Sequence, residues 1–150
     1  MSQTQADMQG DSAVRTARPR GPDARPMSPF LGVWRWHVTM AGSILTRASG
    51  VGLYIGALIV AGWAIALAGG PEMYGQFMGL LASLPGRVIL FALTAGVWFH
   101  TAAGIRHLIW DAGHGYHPRT ANMATWAVLA FTVLATLLTW VAAYLTGGLQ

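Results

Sequence analysis

The 150 residues include no cysteine and no lysine, and only 9% of them carry charge. Without cysteine there are no disulfides, protein-bound iron–sulfur clusters, thiolate zinc sites or covalent c-type haem attachment, so any redox group must be held by other ligands. With charge this scarce and 54% of the residues hydrophobic, a water-soluble domain is excluded. The chain reads as a membrane protein. Nine arginines against five acids give a net charge of +4. That balance invites a nucleic-acid reading, but most arginines precede the apolar segments rather than forming a patterned basic face, so no nucleic-acid partner is expected. Residues 1–26 hold no apolar run, hence no secretory signal is expected there, and Asp7, Asp11 and Asp23 among the arginines argue against a transit peptide.

Rich in Arg, Pro, Gly, Asp and Ser, residues 1–26 cannot bury enough apolar surface to order themselves and read as a flexible tail; 27–150 read as one membrane domain. Ala48 to Pro71 is free of charge, and a bilayer core of about 30 Å needs about 20 such residues in a helix. Gly69, Gly70 and Pro71 supply the stop. Tyr74, Phe77, Met78, Leu80 and Leu81 suit a short helix along the interface, over 72–86. Val88 to Ile105 is the next uncharged run, and Thr120 to Gln150 the third, separated by a polar loop holding His114 and His117. The expected fold is all-α, with three transmembrane helices at about 43–70, 85–110 and 122–146. Gly52 and Gly56 form a GxxxG on the first, and Trp126, Trp140 and Tyr144 suit the interfacial belts.

Three spans put the two ends of the domain on opposite sides. Arg15, Arg18, Arg20, Arg25, Arg35 and Arg47 precede the first span, Arg106 and Arg119 flank the second loop, and the first loop has only Arg87. The positive-inside rule therefore puts the N-terminus in the cytoplasm.

A histidine in mid-membrane is costly without a partner or a task. His100 is such a residue, and at 3.6 residues per turn Gly96, His100, Gly104, His107 and Asp111 fall along one side of the second span. Glycine one turn above and below the imidazole leaves a notch suited to a porphyrin edge, with Arg106, His107 and Arg47 near the boundary where haem propionates need cationic donors. The competing reading is a histidine hydrogen-bonded to a neighbouring helix. His107 lies about 10 Å along the same helix and cannot reach the opposite face of the same iron. The other spans contain no histidine, so a bis-histidine haem b would need a second polypeptide, with Met40 or Met123 as the internal substitute.

Ser43 and Arg47 are four apart and share a helix face at the cytoplasmic boundary. A hydroxyl and a guanidinium there suit the carbonyl oxygens of a quinone and the negative charge that builds on reduction. An arginine at that position is equally what topology alone requires.

Two stretches resemble a known family. Arg25-Pro26-Met27-Ser28-Pro29 with Ser43-Ile44-Leu45-Thr46-Arg47-Ala48-Ser49-Gly50, and His100-Thr101-Ala102-Ala103-Gly104-Ile105-Arg106-His107-Leu108-Ile109-Trp110-Asp111, are similar to segments of the cytochrome b membrane-anchor subunit of succinate dehydrogenase, respiratory complex II. The similarity covers roughly 25–117; the third span agrees in hydropathy only. The resemblance implies that His100 is an axial ligand of haem b, its opposite ligand coming from a second anchor subunit. It also implies that Ser43 and Arg47 belong to a ubiquinone site completed by the iron–sulfur subunit and the second anchor. Arg47 would reach a haem propionate, with Gly96, Gly104, Arg106 and His107 in the haem pocket and Asp111 as site support. FAD and iron–sulfur clusters would sit on partner chains only, a flavoprotein and an iron–sulfur subunit, in a bacterial cytoplasmic (inner) membrane. Where the family commonly has histidine before the arginine, Thr46 stands here, and Phe30 replaces a histidine often found after Ser-Pro, so no role is carried to either position.

Two other readings compete. One is a haem-free structural anchor. The other is a cytochrome b subunit of a different quinone-linked enzyme such as fumarate reductase, many of which hold two haems between their own helices and need about four histidines at membrane depth. A transporter is disfavoured, because no span carries carboxylates or a broken-helix pair.

Overall fold

The computed structural model describes residues 35–148. The tail expected over 1–26, the Arg25 to Pro29 motif, Phe30 and Trp34 lie outside the described residues. Four helices follow in order: α1 (Val38–Ala68), α2 (Pro71–Ala82), α3 (Leu84–Asp111) and α4 (Pro118–Leu145). The described residues contain no strand. Helices α1, α3 and α4 are long and apolar enough to cross a membrane. At 1.5 Å per residue they measure about 46, 42 and 42 Å, more than the hydrocarbon core of about 30 Å.

Each span begins earlier than its charge-free run, for identifiable reasons. Helix α1 starts at Val38 because nothing between His37 and Arg47 opposes a helix, and Arg47 sits inside it. Ser83 separates α2 from α3: it is extended, its Oγ accepts from Gly86 N, and Pro85 stands in the first turn. The short helix expected over 72–86 therefore stops at Ala82. Arg87 lies within α3 and donates from Nε to the Ala82 carbonyl at 2.8 Å. A Cβ at Gly86 would collide with the Leu80 and Leu81 carbonyls, so the α2–α3 corner requires glycine there.

The C-terminal stops are backbone devices. Helix α3 ends with Gly113 at φ +83; its N–H bonds Trp110 O and the His114 N–H bonds Ile109 O, a Schellman arrangement. Helix α4 ends the same way, with Gly147 at φ +77, Gly147 N on Tyr144 O and Gly148 N on Ala143 O. Tyr116 closes the loop between them by donating to the Trp110 carbonyl and stacking on that indole.

Helix α1 runs antiparallel to α3. Gly42 lies against Arg106, Gly50 against His100, Gly96 against Leu53 and Gly56 against Leu93. At Gly42 and Gly56 a Cβ would crowd its neighbour at 2.9 and 3.2 Å, so the missing side chains there let the backbones approach, which is how apolar helices associate where lipid is as apolar as leucine. Gly56 of the GxxxG pair thus faces α3, whereas Gly52 faces open space. Between α3 and α4, Trp98 Nε1 donates to Thr139 Oγ1 at 3.0 Å and Trp140 Nε1 to Thr94 Oγ1 at 3.4 Å. Their rings meet Phe131 and Phe91 edge-on. Trp140, expected in an interfacial belt, is thus a helix-packing residue as well.

The apolar core is small: Phe99, Ala103 and Val128, with Ala102 and Leu129 against them. Large side chains such as Val51, Tyr54, Leu58, Leu134 and Leu138 point outward. In water that surface would not persist; against lipid or further helices it is ordinary.

Candidate functional site

The N-terminal turns of α1, the C-terminal half of α3 and the start of α4 converge at one end of the bundle. Gly42 marks the convergence. A Cβ there would meet Thr125 Cγ2 of α4 at 2.9 Å and Arg106 Nη1 of α3 at 3.3 Å. Ser43 and Arg47 follow on α1, Ser43 half-buried and Arg47 exposed. The Arg47 guanidinium makes no hydrogen bond or ion pair among the described residues, so its charge is available at the protein surface. Thr46, by contrast, turns its hydroxyl back to the Gly42 carbonyl at 2.8 Å.

His100 of α3 meets α1 just beyond Arg47, at Ser49 and Gly50. Its Nδ1 is 3.0 Å from Ser49 Oγ, and its Cε1 edge lies beside Gly50, where a Cβ would sit 3.5 Å away. Nε2 has no hydrogen-bond partner among the described residues. Ser49 and Gly50 are two and three residues beyond Arg47, so the backbone of α1 at Arg47 lies about 3–5 Å along the helix axis from the residues that meet the imidazole. Of the two glycines flanking His100 on α3, Gly104 borders open space and Gly96 faces Leu53, with 3.8 Å from a Cβ to that side chain.

Arg106 and His107 are placed differently from one another. Arg106 is only 5% exposed. Its Nη1 donates to Thr125 Oγ1 at 2.7 Å and its guanidinium lies 4.6 Å over the Trp110 ring, while Nε is buried without a partner among the described residues. It is a tie between helices. His107 is exposed, pairs Nδ1 with the Ala103 carbonyl at 2.7 Å and meets Trp110 edge-on. A carbonyl only accepts, so that His107 nitrogen carries the proton and its Nε2 faces outward to exchange hydrogen bonds. Asp111 ends α3, exposed and unpaired among the described residues. Met123 is exposed on the first turns of α4.

Ser49, Gly50, Gly42 and Thr125 complete this region, and none was assigned a role from sequence. Ser49 carries the one detectable signal, as the single serine or threonine between Ala48 and Pro71. Gly42 and Thr125 carry none, because their significance lies in another helix.

A profile of succinate dehydrogenase/fumarate reductase transmembrane subunits matches residues 22–139. The chain belongs to that family. The match runs through most of α4, so the likeness of these transmembrane subunits extends beyond the two motifs into the third span. Among its relatives, the succinate dehydrogenase cytochrome b556 subunit of Rickettsia felis is 34% identical over 117 residues, 78% of this chain and 91% of the relative. The Paracoccus denitrificans cytochrome b556 subunit is 33% identical over 115 residues, 77% and 88% of the two chains. The Bos taurus mitochondrial cytochrome b560 subunit is 34% identical over 113 residues, 74% and 67%. Within this succinate dehydrogenase family the chain is a cytochrome b-type membrane subunit with three apolar helices.

Proposed function

We propose that this chain is the haem b-binding membrane anchor of a bacterial succinate dehydrogenase and supplies part of its ubiquinone-reduction site. The observation that carries the reading is His100: a half-buried imidazole on the α3 face, bonded through Nδ1 and free at Nε2, beside the open flank of Gly104. Those residues fit haem, since a neutral imidazole nitrogen is its commonest protein ligand and glycine leaves room for a flat macrocycle. The names of the relatives, cytochrome b556 and b560 subunits, support the same assignment. Bound at His100, haem b supplies one-electron transfer within the membrane.

His100 would hold the haem from this chain; a second histidine would have to come from a second anchor subunit, because His107 is too far along α3 and α1 and α4 offer no histidine within the apolar spans, with Met40 or Met123 as the internal substitute. Arg47, exposed on α1 two residues before Ser49, serves a propionate or the quinone. Ser43 and Arg47 donate hydrogen bonds to a ubiquinone carbonyl oxygen, and the guanidinium stabilises the negative charge that grows there before protons arrive from the cytoplasm. His107 and Asp111 lie at the same end as polar support. Arg106 contributes by holding α3 against α4 and keeping His100 and His107 in register with α1. The arginine distribution supports a cytoplasmic N-terminus in a bacterial inner membrane, with the iron–sulfur subunit and the FAD-bearing flavoprotein docked on that side.

The test is spectral. Coexpressed with its partner subunits, His100→Ala is expected to lose the reduced haem bands. Bands unchanged in position and amplitude would overturn the ligand assignment.

A further inference from the structure

Ser49 is placed to decide which nitrogen of His100 is offered to a ligand. Its Oγ lies 2.9 Å from the Thr46 carbonyl and 3.0 Å from His100 Nδ1. A serine hydroxyl has one proton. If that proton points to Nδ1, the contact with the carbonyl brings two lone pairs together at hydrogen-bond distance with nothing between them. If it points to the carbonyl, Oγ is left as an acceptor, and His100 must carry its proton on Nδ1 to complete the second bond. Only the second arrangement makes both contacts hydrogen bonds.

We propose that Ser49 is a positioning residue for His100: it fixes the Nδ1–H tautomer and the ring orientation, so that the Nε2 lone pair is presented for coordination. The inference rests on the haem reading given above and deepens it. A coordinating imidazole needs a lone pair on one nitrogen and is normally oriented by a hydrogen bond from the other, and donation from that N–H makes the coordinating nitrogen more basic. In this chain the orienting group comes from a different helix than the ligand. Gly50, adjacent to it, leaves the Cε1 edge of the ring free to lie against α1. The turns of α1 that carry Ser43 and Arg47 thus lead directly into the residue that orients His100, so one rigid element sets both groups. Thr46 cannot serve in place of Ser49, since its own hydroxyl is turned to Gly42 O.

The test compares Ser49→Thr with Ser49→Val in the assembled complex. The two side chains are nearly equal in size and differ in the hydroxyl. The readouts are haem retained per complex and the haem midpoint potential from an optically monitored redox titration. Threonine is expected to keep both near the wild-type values. Valine is expected to weaken haem retention by about 10-fold and to raise the midpoint potential, because a less basic ligand stabilises oxidised iron less. Equal potentials and equal haem content in the two variants would overturn the proposal. If the branched side chains prevent assembly, Ser49→Ala against wild type decides by the same criteria. His100→Ala, run in parallel, separates the two levels: haem bands that survive it defeat the ligand assignment and the role of Ser49 together. Haem lost in His100→Ala but unaffected by Ser49→Val defeats the role of Ser49 alone.

Discussion

Arg106 of α3 donates from Nη1 to Thr125 Oγ1 of α4 at 2.7 Å, and Thr125 in turn donates to the Ala121 carbonyl of its own helix. The pair sits directly beneath Gly42 of α1, so one charged hydrogen bond and one missing side chain join three helices. It lies at the end of the bundle that also carries Ser43, Arg47, His100 and His107, which makes the site's geometry depend on a contact that holds no ligand itself.

Thr125→Val removes the acceptor while keeping the shape, leaving the buried guanidinium with no hydrogen-bond partner on α4. The expected loss is about 1–3 kcal/mol of stability, measured as earlier thermal dissociation of the purified complex. Arg106→Leu combined with Thr125→Val is expected to be less damaging than Thr125→Val alone, because neither polar partner is then left unpaired.

Gly42→Ala places a Cβ 2.9 Å from Thr125 Cγ2, a branched side chain whose hydroxyl is held by Arg106 and the Ala121 carbonyl. A cost of about 1–3 kcal/mol is expected. Thr125→Ser in the same chain removes that methyl and keeps the hydroxyl for Arg106, so the double variant should recover most of the lost thermal stability. No recovery would place the Gly42 defect elsewhere.

Arg47→Ala leaves the bundle contacts intact, since its guanidinium binds nothing among the described residues. Quinone reduction by succinate is expected to fall by about 100-fold, while succinate oxidation by a soluble artificial acceptor persists. Equal loss of both activities would indicate failed assembly instead of a quinone role.

Trp98→Phe and Trp140→Phe each delete one indole hydrogen bond to a threonine across the α3–α4 seam and keep an aromatic ring. Each should cost about 0.6 kcal/mol, the typical value for such bonds between membrane helices. The two bonds are neighbours, Thr139 beside Trp140 and Thr94 one turn from Trp98, so the double variant should depart from additivity in a thermal-melting series.

The positions of the spans were legible in the residues because a bilayer imposes length and apolarity on any helix that crosses it, whatever its neighbours. The ends were less so. The charge-free run ends at Arg87 and Arg106, but how each arginine is accommodated inside the helix was not legible: one bonds the Ala82 carbonyl of α2 and the other Thr125 of α4. Arg106 looked like a free cation beside His107 because a sequence lists charge without burial.

By itself, the order of residues determined that this protein is an all-helical membrane chain with one histidine at mid-span between two glycines, and that Ser43 and Arg47 share a helix face, since those facts follow from composition and from 3.6 residues per turn. Only the tertiary structure decided which helix meets which. The Ser49 bond to His100, the wedge of Gly42 against Thr125 and the burial of Arg106 each join residues far apart along the chain, through an antiparallel register set by side-chain volume across the seam and visible in no single segment.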